Sequence, residues 1–178
     1  AETTYYRRLV ISGGCGPIAS NRITITVFDQ LFAGKVGYSQ IVCYNTAPAT
    51  LVEVSSPDGG SGTYLYQWQN STDKIAWTDI LSANDTSTTP PALSTTTYYR
   101  RRVIATLSLD TAYSNIININ VNPDLNPGTL YSSQTICHNA TPYLIIGTPA
   151  TGGFGNYTYQ WQSSTDGIIY YPISGVIT

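Results

Sequence analysis

Three cysteines and one histidine are the residues best suited to chemistry: Cys15, Cys43, Cys137 and His138. Cys137 and His138 are adjacent. A cysteine–histidine dyad needs its two groups to face each other, and neighbouring residues of a strand point to opposite faces, so the pair does not read as a nucleophile with its base. Zinc takes about four ligands at characteristic spacings, and these four residues are scattered. The ten acidic residues are dispersed as well. No Asp-x-Asp-x-Asp-Gly loop occurs, so calcium is not indicated, although Asp58 or Asp73 could add a ligand to a weak loop site. Gly59-Gly60-Ser61-Gly62 opens no helix and reads as a hairpin linker rather than a phosphate cradle. The expectation is a non-enzymatic chain with no metal and no cofactor.

Other side chains suit binding. There are fifteen Tyr and three Trp. Trp77 recurs as Tyr170, with Tyr64 and Tyr157 nearby, and such rings could stack on surface glycans or meet another subunit. The structural alternative is cross-strand aromatic pairing, worth about 0.2–1 kcal/mol per pair. Arg100-Arg101-Arg102 is the one basic run. It lies in a strand, where alternation divides its charges between two faces, and it reads as strand-edge charge with salt bridges. With a net charge of −2, nucleic acid is not an expected partner. Asn70, Asn84, Asn139 and Asn156 each fit the Asn-x-Ser/Thr acceptor pattern.

Composition points the same way. Charged residues make up 10% of the chain, against roughly 25% in ordinary soluble proteins, so the polar surface must come from Thr, Ser, Asn, Gln and Tyr. Such a surface suits an extracellular protein. No apolar run reaches the roughly 18 residues that a membrane-spanning helix needs. Nothing resembles a signal peptide and there is no Met, which reads as a mature or excised chain.

The elements that must position these residues are all strands. Tyr38–Cys43, Thr50–Ser55, Thr63–Asn70, Ala76–Ile80, Thr96–Ala105 and Ala112–Val121 carry strand patterns, and Ser56–Gly62, Asn70–Lys74 and Asn84–Pro91 carry turn signals. Tyr64, Tyr66 and Trp68 alternate with Leu65, Gln67 and Gln69. No segment has a helical period. The fold class is all-β.

The strands repeat. Thr3–Arg8 and Thr96–Arg101 are both TTYYRR, and YQWQ at Tyr66–Gln69 returns at Tyr159–Gln162, each at a shift of 93. Ser20-Asn21 matches Ser114-Asn115, and Cys43 matches Cys137, at a shift of 94. Single-residue slips of this kind fall in loops. A unit of about 93 residues therefore recurs, out of phase with the chain. Residues 1–29 match the end of a unit, 30–122 form a complete one, and 123–178 match the beginning of another. The two partial pieces together lack eight positions, those equivalent to Thr86–Leu93.

Six or seven short strands in such a unit indicate an immunoglobulin-like antiparallel sandwich, and the chain reads as tandem sandwiches of this kind. Trp68 then belongs at the core with Tyr66, and Trp161 and Tyr159 hold those places in the next unit. Tyr98 or Tyr99 opens the penultimate strand, where a tyrosine corner would sit. The linker Asn122-Pro123-Asp124 limits bending, since Pro fixes φ. Either the units continue as a tandem array, or 1–29 of one copy complete the domain begun by 123–178 of a neighbour.

The motifs YQWQ-x-STD, PPALSTTTYYRRRV, AYSNIININVNP and SSQTICHNATP resemble the immunoglobulin-like or PKD-like repeats of very large surface proteins of Bacteroidota. The resemblance extends over essentially the whole chain. It implies an extracellular or cell-surface adhesion, gliding or fibre protein, exported by the type IX system, whose main partner is more of itself. A carbohydrate-binding module is the alternative. Asp110-Thr111-Ala112 resembles the O-glycosylation signal of that group, which makes Thr111 a candidate acceptor. Similar repeats often pair a late cysteine with an early one of the same unit. On that likeness Cys137 would bridge to Cys15 of a neighbouring copy and Cys43 would stay free, the alternative being three reduced thiols. Cys43 and Cys137 lie a domain apart and cannot bridge each other.

Overall fold

A computed structural model describes the backbone of residues 2–177 and the side chains of residues 2–174. Ala1 and Thr178, the outermost residues of the expected first and last segments, lie outside it. Every regular element among the described residues is a strand. Four come first: β1 (Thr4–Tyr6), β2 (Leu9–Ser12), β3 (Cys15–Ala19) and β4 (Ile23–Ile25). Ten make up the middle: β5 (Asp29–Phe32), β6 (Lys35–Gly37), β7 (Gln40–Val42), β8 (Val52–Ser55), β9 (Asp58–Gly60), β10 (Tyr64–Ser71), β11 (Thr78–Asp79), β12 (Thr97–Ala105), β13 (Thr111–Tyr113) and β14 (Ile117–Val121). Four follow: β15 (Leu130–Tyr131), β16 (Ile146–Gly147), β17 (Gln160–Ser163) and β18 (Tyr171–Ile177).

The middle holds one six-stranded sheet in the order β11-β10-β12-β14-β7, with β13 also on β12. Its pairs are antiparallel except β14 with β7, where Ile119 lies opposite Gln40 in a parallel ladder. β12 is the central strand, and strict alternation buries Thr97, Tyr99, Arg101, Val103 and Ala105 while the residues between them stay half-buried. The β6–β8 pair and the bridges Thr46–Leu93 and Leu51–Thr88 lie outside this sheet. Together the two sets of strands enclose a core of Val36, Leu51, Trp68, Leu93, Tyr99, Ile117 and Ile119. A second cluster joins Leu31 and Ala33 to Val103 and Ala105. Of the two tyrosines left open by the sequence, Tyr99 is the one turned inward.

Three elements differ from expectation, one through a glycine backbone and two because side chains take over backbone groups. Asp58–Gly60, read as a turn, pairs with β5. The pairing is possible because Gly59 has φ +75° and any Cβ there would strike the Gln30 carbonyl. The strand expected at Ala76–Ile80 shrinks to Thr78–Asp79, since the Asp73 carboxylate accepts from the Ile75 and Ala76 amides. The last strand breaks between Tyr113 and Ile117. There Ser114 Oγ accepts from the Arg101 amide, and the Asn115 side chain clamps both backbone groups of Val36 at 2.8 Å.

Candidate interaction surface

At the middle of the inward row on β12 sits a guanidinium. Arg101 is fully buried, and its Nη1 lies 2.7 Å from Glu53 Oε2. The contact is short but poorly aligned, so it acts through charge, and Arg101 Nε has no partner. Nη1 also donates to the Thr86 carbonyl and Nη2 to the Ala33 carbonyl. The guanidinium carbon lies 4.5 Å from the Tyr66 ring centre. Burial, and then the Glu53 charge, push the Tyr66 phenol above its ordinary pKa. The expected salt bridges are present, and the expectation of strand-edge charge is corrected. β12 is bordered on both sides, and its Arg run is split between a buried ion pair at Arg101 and an outer one, Arg102–Asp79 at 2.9 Å. Alternation foretold the split but not the burial, because nothing local in the sequence links Arg101 to Glu53.

The same hydrogen bonds appear at both ends of the chain, 93 or 94 positions away. Thr4–Tyr6 pair with Ile23–Ile25 in the register in which Thr97–Tyr99 pair with Ile117–Ile119. Ser20 Oγ accepts from the Arg8 amide at 2.8 Å, as Ser114 Oγ does from Arg101 at 2.9 Å. Gln134 closes on Tyr143 as Gln40 closes on Ala49. Tyr157 donates to the Gly152 carbonyl as Tyr64 does to Gly59. Asp166 caps its turn as Asp73 does, accepting from Ser164 and from the amides of Ile168 and Ile169. Those bonds hold the Asp166 carboxyl at a pKa of about 2. Both aspartates are thus occupied by turns.

What differs is cover. Tyr99, Ile117 and Ile119 are 1%, 1% and 0% exposed, whereas their counterparts Tyr6, Ile23 and Ile25 are 55%, 56% and 52% exposed. Trp68 is fully buried, while Trp161 is only half-buried. Tyr66 is half-buried and Tyr159 is exposed, its hydroxyl accepting from the Ala150 amide. The core places expected for Trp161 and Tyr159 are therefore not closed within this chain. The reason is that, among the described residues, β17 pairs with β18 alone and β1 with β4 alone, so neither has the neighbour that β10 and β12 give each other. A cleft of about 580 Å³ opens there, lined among others by Pro127, Leu130, Gly147, Tyr159, Gln160 and Trp161.

The family comparison sharpens this. The sequence matches the family described as Domain of unknown function (DUF8696) over residues 32–123 and again over 126–178. The chain belongs to the DUF8696 family. The second DUF8696 match starts 94 positions after the first, the offset that separates Cys43 from Cys137. No curated protein matches the chain.

The remaining candidates in this DUF8696 chain are dispersed. All three cysteines are free and exposed. The Cys137–Cys15 bridge meets a geometric objection. Cys15 closes the β2–β3 hairpin, whose counterpart lies at the Ala105 end of β12. The counterpart of Cys137 is Cys43, just after β7, beside Val121 and so at the Thr96 end. The nine residues of β12 hold these positions about 26 Å apart at a rise of roughly 3.3 Å per residue, well past bridging distance. His138 is exposed next to Cys137. Among the described residues no three His, Cys, Asp or Glu side chains are grouped so as to hold a metal ion. No helix among them is long and apolar enough to cross a membrane. Trp77 is half-buried, with the Arg100 guanidinium 4.2 Å from its ring centre, and Tyr113 lies 4.0 Å from the same cation. Tyr170 and Thr111 are exposed.

Proposed function

We propose that this chain is a structural, non-enzymatic segment of an extracellular assembly built from tandem immunoglobulin-like sandwiches: a stalk, adhesin or filament of a bacterial cell surface. One observation carries the reading. The face that the middle of the chain buries with Tyr99, Ile117 and Ile119 is the face that the first segment leaves open at Tyr6, Ile23 and Ile25, and Trp161 of the last segment is less covered than Trp68. Contiguous exposed apolar residues mark a contact surface, and the most economical cover is another unit of the same kind. Each unit then stabilises itself and its neighbour, and the short Pro123 linker keeps successive units from swinging freely.

Electron microscopy of native material, with intact mass under denaturing, non-reducing conditions, tests the proposal. Fibres that dissociate to a mass near 19 kDa would mean separate subunits that complete one another, and fibres of far larger mass would mean a continuous array. Dispersed monomers without fibres would end the structural reading. Carbohydrate binding is the second reading, favoured by the exposed Tyr170 ring. Trp77, its counterpart, already has one face covered by Arg100.

A further inference from the structure

We infer that the cleft bounded by Leu130, Gly147, Tyr159 and Trp161 is closed head to tail by β1 and β4 of a second copy of this chain, with Arg8 opposite Trp161. The inference rests on the repeat reading above and specifies its joint. The middle of the chain supplies the template. The counterparts of the cleft residues are Val36, Glu53, Tyr66 and Trp68, and what fills the space between them is β12, with Tyr99 and Arg101 pointing in. β12 lies beside β10 with Trp68 opposite Arg101 and Gln69 opposite Arg100. Shifting both strands by the period places Trp161 opposite Arg8 and Gln162 opposite Arg7. The free edge of β17 is the correct one, since β18 occupies the side that β11 takes on β10, where Gln69 faces Asp79 as Gln162 faces Pro172.

Polar groups match as well. Asn115 clamps the Val36 backbone, and its counterpart Asn21 would clamp Leu130. Arg100 Nε donates to Gln69 Oε1 at 2.8 Å and stacks on Trp77. Arg7 would do the same to Gln162 and Tyr170, which accounts for that exposed ring. Two of the partners of Arg101 have no counterpart. The place of Glu53 is taken by Gly147 and that of Thr86 falls among the eight missing positions, so Arg8 would enter the joint without a carboxylate partner, held by the Tyr159 ring and the carbonyl of Pro127, the counterpart of Ala33. A buried charge lacking its partner is costly, and the joint should be weaker than the middle of the chain. Because donor and acceptor faces differ, the contact is heterologous and does not stop at a dimer.

Two full-length variants test this, Ile25→Asp on the donor face and Leu130→Asp on the acceptor face. Both residues are exposed in the free chain, so neither change should unfold it, and the circular dichroism melt of each variant checks that. In sedimentation velocity the wild-type chain should grow with concentration beyond a dimer. Each variant alone should lose association, and the two mixed should form a one-to-one dimer and stop there. Register is read from a charge swap on the outer face: Arg7→Glu or Gln162→Arg alone should weaken association, and the two together in one chain should restore it. A monomeric wild type, a single variant that still self-associates, or a double swap no better than its parents would overturn the joint. The scaffold reading is tested separately by microscopy of native material, so a monomeric wild-type chain defeats only the joint.

Discussion

Arg101 and Glu53 form a buried ion pair at 2.7 Å in the middle of an otherwise apolar layer. They lie 48 positions apart, on strands that do not pair with each other, and the ion pair ties β8 to the centre of the main sheet. Removing one member of such a pair leaves the other charge uncompensated, at a cost of about 3–5 kcal/mol. Glu53→Gln should therefore lower the denaturation midpoint of the middle unit sharply in urea unfolding. The partner change should be milder. Arg101→Met removes the fully buried charge, and Glu53, whose side chain keeps 21% of its exposure, can turn to water. Equal losses for the two variants would show that the ion pair is not organised as described.

The two matched tryptophans should respond unequally. Trp68 is fully buried, and truncating a buried aromatic to alanine costs about 3–5 kcal/mol. Trp161→Ala removes a half-buried ring beside an open cleft and should change the stability of the monomeric chain by less than half as much. Urea titrations of both variants at low protein concentration decide the point. A Trp161 loss as large as that of Trp68 would mean that the cleft is already filled in the free chain.

The capped turn at Asp166 predicts an acid transition late in the pH scale. Its folded carboxyl titrates at about 2, against 3.8 when free, because the Ile168 and Ile169 amides favour the charged form. A depressed value stabilises the turn above the free pKa, and that contribution fades as pH falls from about 4 through 2. The Asp73 turn is lowered in the same direction by the same kinds of bonds. Amide chemical shifts of Ile168 and Ile169 should stay flat from pH 7 to about 4 and move only below it. A midpoint near 4 would mean that the turn does not form.

Stacked guanidinium and indole give a third kind of contrast. Arg100 lies over both Trp77 and Tyr113, and such contacts at partly exposed sites are worth about 0.5–1 kcal/mol. Arg100→Ala should cost about that much and make the Trp77 fluorescence more accessible to an acrylamide quencher. If Trp77 instead belongs to a sugar platform, Trp77→Ala should abolish retention on a glycan array that the wild-type chain binds. Binding that survives Trp77→Ala but not Tyr170→Ala would move the glycan site to the last segment.

By itself the sequence determined the all-β class of this chain and the offset at which its motifs recur. Strand alternation is local, so Tyr64, Tyr66 and Trp68 announce a half-buried strand without any knowledge of their neighbours. A 93-residue recurrence of both motif and spacing is a property of the string, and the hydrogen bonds of Gln40 and Gln134, or of Ser114 and Ser20, recur with it. Tertiary structure decided the rest, because those facts depend on which strands become neighbours. It put the Arg run at the centre of a sheet rather than its edge, and it made Glu53 the partner of Arg101. It turned Asp58–Gly60 from a turn into a strand by bringing Gly59 against the Gln30 carbonyl, a contact only glycine permits. It also placed the counterparts of Cys137 and Cys15 toward opposite ends of β12, which argues against the bridge that the resemblance implied. Above all, equal residues acquired unequal surroundings. Trp68 and Trp161 carry the same local sequence, and only the presence or absence of a strand beside them makes one a core and the other the wall of an open cleft.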